Sequence, residues 1–451
     1  MFTTIKNAFK VKEIRQKLLF TFLMLIVVRL GSQIPTPGTD ASVVSSLMKK
    51  VSDTTSGTLI SAFTGGLEKM SIFALGISPY ITSSIIMQLL TIAIPKLEEL
   101  QKDGETGRKK IAEITRYVTV ALALLTSIVM AIGFGNSNAF GNKSSMTSLQ
   151  YVLTIALVVI TWTAGSAFLM WLGERITEKG VGNGISIILV INIIARVPSD
   201  LYNLYESKVK ITSTNGRSIG GALLAAVIIF LVIVAIFALV VILQGGQRKI
   251  AVQYSKKLQG RKMVGGQSSC IPLKVNTAGV IPIIFASSIM QLPIVIANFF
   301  GKQAGDGTFW GKVLRLLNSG SWFNLDNFKY TLGFLVYAAL VIIFAYFYTS
   351  ITFNPIEVAD NMKKQGGFVP GIRPGKPTEE YLTRILNYIV LIGAVGLLIV
   401  ATIPIVFSGV FSASVSFGGT SLIIVVGVIL ETLNKIESMM VVRNYKGFLN
   451  D

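Results

Sequence analysis

Ten apolar runs punctuate this 451-residue chain, each close to the roughly 20 residues that an α-helix needs to cross about 30 Å of hydrocarbon. They cover residues 18–34, 71–94, 117–133, 150–171, 181–197, 220–243, 275–299, 331–352, 385–407 and 410–430. Inside a bilayer each backbone N–H and C=O must find its partner within the protein, so runs of this length become helices. With 52% hydrophobic and 14% charged residues against a usual quarter, the chain has too little polar surface for a soluble globule of its size. The expected fold class is an all-α integral membrane protein with ten transmembrane helices. No run repeats another closely in sequence, although five plus five permits an inverted-repeat architecture.

Lys6, Lys10, Lys12, Arg15 and Lys17 ahead of the first run also fit a secretory signal peptide. Arg29 and Gln33-Ile34-Pro35 stand where a small-residue cleavage site belongs, so the run reads as a span whose arginine snorkels to the far interface. With spans alternating in direction, 28 Lys and Arg residues fall on the side of the termini and 12 on the other, with Arg29 inside a span. The positive-inside rule therefore places both termini in the cytoplasm.

Residues 57–94 are largely apolar, and as one straight helix they would be about 57 Å long, too long for any ordinary bilayer. A break is expected near Gly65-Gly66 and Glu68-Lys69, leaving a short piece that cannot span and a true span from Ser71. The short piece is either an amphipathic helix on the outer surface or a re-entrant element buried in protein. Pro79 and the small residues of 71–81 suit close helix contacts and a kinked, movable helix. Ile77 and Ile81 share a face, as do Ile185 and Leu189, but in uniformly apolar helices this spacing also describes plain core packing.

The chemistry is as constrained as the fold. The sequence has no histidine and a single cysteine, Cys270, which removes intramolecular disulfides, most zinc sites and any imidazole base. No glycine-rich phosphate loop with its lysine appears, so the chain offers no nucleotide site of its own. Neither a metal nor a cofactor is expected, and no enzymatic activity.

Several longer motifs resemble the SecY family, the channel subunits of the bacterial general secretion translocon (the SecY/Sec61 alpha family). One is Ser71-Ile72-Phe73-Ala74-Leu75-Gly76-Ile77-Ser78-Pro79-Tyr80-Ile81; another is Gly173-Glu174-Arg175-Ile176-Thr177-Glu178-Lys179-Gly180, running on through Asn183 and Ile185. Others are Pro272-Leu273-Lys274-Val275-Asn276, Gly367-Phe368-Val369-Pro370-Gly371-Ile372-Arg373-Pro374-Gly375 and Phe417-Gly418-Gly419-Thr420-Ser421-Leu422. The resemblance implies two pseudo-symmetric halves of five helices, 18–198 and 220–430, joined by an external connection at 199–219 and forming an hourglass channel with a side opening to lipid. Segments 1–17 and 431–451 would be cytoplasmic.

By the same likeness residues 57–70, with Gly57, Phe63, Gly65, Gly66 and Met70, occupy the position of a short plug helix. Ile77, Ile81, Ile185, Leu189, Ile284 and Ile424 fall at the pore constriction, Leu189 replacing an isoleucine of some members. An apolar collar of this kind excludes ions by dewetting while yielding to a passing chain. Thr82, Gln88, Thr126 and Asn276 match polar positions of the side opening, Thr126 standing where some relatives have glutamine; each also suits a routine interhelical hydrogen bond.

Two cytoplasmic loops are basic beyond the needs of orientation. Residues 245–274 hold seven Lys and Arg and no acid, and the alternation of Ile250, Val252 and Tyr254 predicts a hairpin. Residues 353–384 hold Gly366-Gly367, Pro370-Gly371, Pro374-Gly375 and Pro377, which shape turns around Arg373. Charge alone fits attraction to anionic lipid. The family likeness makes Lys256, Lys257, Arg261, Lys262 and Arg373 docking candidates for the motor ATPase SecA and the ribosome. It also implies SecE-like and SecG-like subunits, signal sequences as ligands and a place in the bacterial cytoplasmic membrane. A small-solute transporter is the main rival, weakened by the lack of an Asp, Glu or Lys deep in any apolar run.

Overall fold

The structure is a computed structural model that describes residues 9–39, 70–136, 140, 147–204, 219–254, 257–259, 262–264, 268–299, 309–317, 322, 331–411 and 419–447. It is mostly helical. Helices α1 (Lys12–Gly31), α2 (Ser78–Ala93), α3 (Pro95–Lys102), α4 (Glu105–Asn136), α5 (Ser148–Lys179), α6 (Gly184–Leu204) and α7 (Ile219–Gly245) lead into four strands. These are β1 (Gln247–Tyr254), β2 (Lys257–Gln259), β3 (Lys262–Val264) and β4 (Ser268–Lys274). Then come α8 (Ile281–Phe299), α9 (Phe309–Leu317), α10 (Thr331–Thr352), α11 (Pro355–Lys364), β5 (Gly367–Phe368), α12 (Lys376–Phe411) and α13 (Gly419–Gly447).

Among the described residues four helices are long and apolar enough to cross a bilayer, Glu105–Gly135, Ser148–Lys179, Thr331–Lys364 and Lys376–Ile403. The pair Ser78–Ala93 and Pro95–Gln101, bent by 106°, makes a fifth if taken as one broken span. The chain packs as two compact units. The first comprises Met1–Asn203, Asn298–Gly301 and Val428–Asp451; the second comprises Leu204–Ala297 and Lys302–Gly427.

In the first unit α4 packs against both α2 and α5. One core cluster gathers Met70, Ala74, Leu75, Ala123, Ala131, Phe140, Val158 and Trp162; a second gathers Val28, Phe73, Ile77, Leu169, Leu172, Ile176 and Ile188. Residues 71–77, expected to be helical, are instead a chain of turns, and α2 begins only at Ser78. Gly76 takes φ +58°, a left-handed value that breaks the helix, and Pro79, whose missing N–H is harmless in a first turn, starts α2 instead of kinking it. The sharp bend lies at the other end, where Pro95 follows Ile94.

The leg of turns is held by backbone as well as side chains. Ile72 donates its N–H to the Ile34 carbonyl at 3.0 Å, and Ser166 Oγ donates to the Gly76 carbonyl at 3.3 Å. Gly165 lets α5 come against this leg: a Cβ there would stand 2.2 Å from the Ile72 carbonyl oxygen. Gly165→Ala should therefore cost about 1–3 kcal/mol of stability by overpacking. Gly133→Ala on α4, where a Cβ meets nothing within 4 Å, should be neutral or slightly stabilising. Thermal unfolding of the two variants in detergent checks the contrast, and equal midpoints would refute the close approach.

The second unit carries the predicted hairpin. β1 pairs antiparallel with β4, setting Gln247 opposite Lys274 and Ile250 opposite Ile271. Ile250 and Val252 turn inward while Lys249, Ala251 and Gln253 stay exposed, the period-2 division seen in the sequence. A third strand completes the sheet in the order β4-β1-β5, with Gln253 opposite Phe368 and Tyr254 opposite Gly367. β2 and β3 form a separate two-stranded extension.

Candidate functional site

The constriction positions of the first unit meet around the start of two helices. Ile77 is the N-cap residue of α2 and is buried, and one turn later the Ile81 N–H bonds its carbonyl at 3.1 Å. Ile185 lies at the start of α6, where its N–H reaches Asn183 Oδ1 at 3.2 Å and the preceding Gly184 N–H reaches Thr177 Oγ1 at 2.9 Å. Gly184 passes so close to α5 that a Cβ would stand 2.0 Å from the Gly173 carbonyl. This approach carries Ile185 into the cluster that holds Ile77, with Ile81 packed against the same residues. Leu189 is buried on the next turn of α6. In the second unit Ile284 is half-buried on α8 and Ile424 is buried on α13. The side chains packed around Ile77 are apolar apart from the half-buried Tyr80, so what these positions offer is a largely apolar contact surface.

Of the expected plug residues, Gly57, Phe63, Gly65 and Gly66 lie outside the described residues. Met70 is fully buried at φ +40°, unusual for a side-chain-bearing residue. Its carbonyl accepts both the Thr36 N–H at 2.9 Å and Thr36 Oγ1 at 2.7 Å, and Trp162 Nε1 donates to that same Oγ1 at 2.9 Å. A buried indole N–H in the middle of α5 satisfied in this way fixes the point where the chain enters the leg of turns.

The polar gate candidates divide into two kinds. Thr82, Gln88 and Thr126 are exposed on α2 and α4, and the two threonines return their hydroxyls to their own helices, Thr82 to Ser78 O at 3.0 Å and Thr126 to Leu122 O at 2.7 Å. Asn276, in the second unit, is 6% exposed, and neither Oδ1 nor Nδ2 has a hydrogen-bond partner among the described residues. A buried amide without a partner is costly, which sets Asn276 apart from the other three. Polar contacts that do tie the first unit's helices together include Ser83 Oγ to Thr119 Oγ1 at 2.5 Å between α2 and α4, and, between α4 and α5, Ser127 Oγ to Thr163 Oγ1 at 3.0 Å and Arg116 Nε donating to Glu174 Oε1 at 2.8 Å. The sequence signal of the two hydroxyl pairs was available as small hydroxyl residues within apolar runs.

The two basic loops form one platform. Ile250, Val252 and Leu273 of the hairpin share a core with Met362 of α11, Val369, and Leu382 and Ile389 of α12. Gly367 is required where β5 meets β1, since a Cβ there would stand 2.9 Å from the Tyr254 ring. Arg373 is exposed on a turn framed by Gly371 at φ +83° and Gly375 at φ +99°. Buried Thr378 donates its Oγ1 to the Arg373 carbonyl at 2.8 Å, and Ile372 N–H reaches Val369 O at 3.0 Å. Arg248, Lys249, Lys274, Lys363, Lys364, Lys376 and Arg384 are exposed around the same core. Lys257 and Lys262 are on β2 and β3, while Lys256 and Arg261 lie outside the described residues. Among the described residues no three acidic or cysteine side chains converge on a possible metal position.

Comparison with known proteins gives a consistent result. The SecY family model matches residues 71–433. The protein translocase subunit SecY of Halalkalibacterium halodurans is 44% identical over 100% of both chains, and that of Streptomyces scabiei is 43% identical, again over 100% of both. In fold the chain is similar to a solved protein-conducting channel, with a TM-score of 0.65 at 17% identity over 95% of this chain and 93% of that one. Canine Sec61 from a ribosome-channel complex of the endoplasmic reticulum gives 0.60 at 18% identity with the same coverage.

Proposed function

Because the chain belongs to the SecY family, and is thus a multi-pass membrane subunit of a protein-conducting channel and not an enzyme, we propose how its parts divide that work. It passes unfolded secretory polypeptides across the bacterial cytoplasmic membrane and releases membrane segments sideways into lipid. Ten spans in two halves, 18–198 and 220–430, form the hourglass wall, with both termini in the cytoplasm and 57–70 as the plug. Ile77, Ile81, Ile185, Leu189, Ile284 and Ile424 form the collar. Thr82, Gln88, Thr126 and Asn276 line the side opening that signal sequences enter, and the unpartnered Asn276 amide makes it the strongest of the four.

The platform of the two basic loops docks SecA and the ribosome, which supply the drive, and SecE-like and SecG-like subunits clamp the assembly. Full-length likeness to translocase subunits, with no break in coverage at either end, is the observation that carries this reading. The burial of residues 71–77 supports it, since non-helical backbone at membrane depth is tolerated only where protein surrounds it. Vesicles reconstituted with the chain and its small partner subunits should take up a secretory precursor when SecA and ATP are added. If precursor stayed outside while a small solute accumulated, a transporter would replace the channel.

A further inference from the structure

Helix α9, with sequence Phe309-Trp310-Gly311-Lys312-Val313-Leu314-Arg315-Leu316-Leu317, has no part in the collar, the gate or the platform. At about 100° per residue its circumference divides into three sectors. One sector is protein-facing: Gly311 and Leu314 are buried. Nearby, the third residue of α10 is Gly333, where a Cβ would stand 1.9 Å from the Leu316 carbonyl oxygen and 2.4 Å from Trp322 Nε1. Trp322 itself is 2% exposed, donates to Leu316 O at 2.8 Å and lies 5.3 Å from the Tyr337 ring. The end of α9 is thereby fastened to the opening turns of α10.

The second sector is apolar and partly exposed. Phe309 is 76% and Trp310 52% exposed, and the half-buried Val313 and Leu317 fall within the same arc of about 100°. On the third sector Lys312 and Arg315 are exposed, outside that arc. A helix resting on a protein in water needs one apolar sector; this one has a second, next to the start of a helix apolar enough to cross a bilayer. There α10 exposes Leu332, Leu335 and Val336.

We propose that α9 lies in the membrane–water interface, seating Phe309, Trp310, Val313 and Leu317 at the boundary of headgroups and acyl chains. Lys312, on the flank of that arc, meets anionic headgroups while Arg315 stays toward water, and the connection from α8 to α10 is thereby anchored to the lipid surface. An aromatic pair beside cations on a short amphipathic helix is the pattern that such a boundary selects. The inference rests on the reading that α10 crosses the bilayer.

The test uses the full chain in vesicles of phosphatidylcholine and phosphatidylglycerol, with bromine carried at shallow or deep acyl positions. Subtracting the fluorescence of the Trp310→Phe chain from that of the unaltered chain isolates Trp310. Its emission should be blue-shifted relative to tryptophan in water, quenched more by shallow than by deep bromine, and poorly quenched by aqueous iodide. If the tryptophans retained in the Trp310→Phe chain are quenched by brominated lipid but the Trp310 difference signal is not, the chain is inserted and the interfacial role of α9 is wrong. Absence of lipid quenching in both would overturn the membrane reading together with it.

Discussion

Asparagine at Ile81 or Ile185 should turn a resting channel that holds back ions into one that leaks. Both side chains pack against the apolar cluster of Ile77, Leu172 and Ile188, a surface that offers a hydrated ion few hydrogen-bonding partners. Dewetting depends on the absence of hydrogen-bonding partners for water, and an amide supplies donors and acceptors at the position where the water file would otherwise break. Each variant should also lose some stability, at most the roughly 1–3 kcal/mol of a fully buried unpaired amide, because both positions are half-buried. That side effect needs a control. Leu172→Ala, in the same cluster on α5 but not itself a collar position, should cost about 2–5 kcal/mol by opening a cavity. It should leave conductance in planar bilayers unchanged. Silent asparagine variants would remove Ile81 and Ile185 from the collar; a leak in Leu172→Ala would mean that loosened packing, not polarity, opens the path.

The sequence reading found the parts whose signal is periodic or long. Among the described residues apolar length marked four helices able to span, or five with the bent pair, and a helix can overrun its apolar run: α4 starts at Glu105 although its run starts near 117, because hydropathy marks the hydrocarbon depth and a helix continues into water. Alternation at Ile250, Val252 and Tyr254 gave the hairpin. The join between the two basic loops left no such trace, because β5 is two residues long and a two-residue strand has no period. The turns at 71–77 were hidden for a different reason. Their residues are as apolar as a helix would be, and what sets them apart is the left-handed Gly76 together with the backbone bond from Ile72 to Ile34. Trp162 and Thr36 are 126 residues apart and meet only in the folded chain, so no local rule pairs them. Candidate site residues were legible through family motifs alone; physics could not single out one isoleucine among many until the structure showed which of them share a cluster.

Replacing Arg373 with glutamate should sever docking of the motor while leaving the fold intact. The side chain is exposed, and the turn beneath it is built by Gly371, Gly375 and the Thr378 hydroxyl, none of which uses the guanidinium. A surface change of this kind ordinarily moves stability by no more than about 0.5 kcal/mol. Loss of one charge-assisted hydrogen bond to a partner is worth roughly 1.5–3 kcal/mol, or about tenfold to a hundredfold in affinity, and reversal of the charge adds repulsion. The contrasting variant is Leu382→Ala. Leu382 is fully buried in the core that binds the hairpin to α11 and α12, and its truncation should cost about 2–5 kcal/mol. Because that core belongs to both loops, the variant should weaken docking by loosening the platform, and trypsin should then cut the basic hairpin faster. Arg373→Glu should bind SecA poorly at an unchanged rate of cleavage. Normal SecA binding by Arg373→Glu would dismiss the arginine as a contact, and faster cleavage of that variant would reassign it from docking to the stability of the turn.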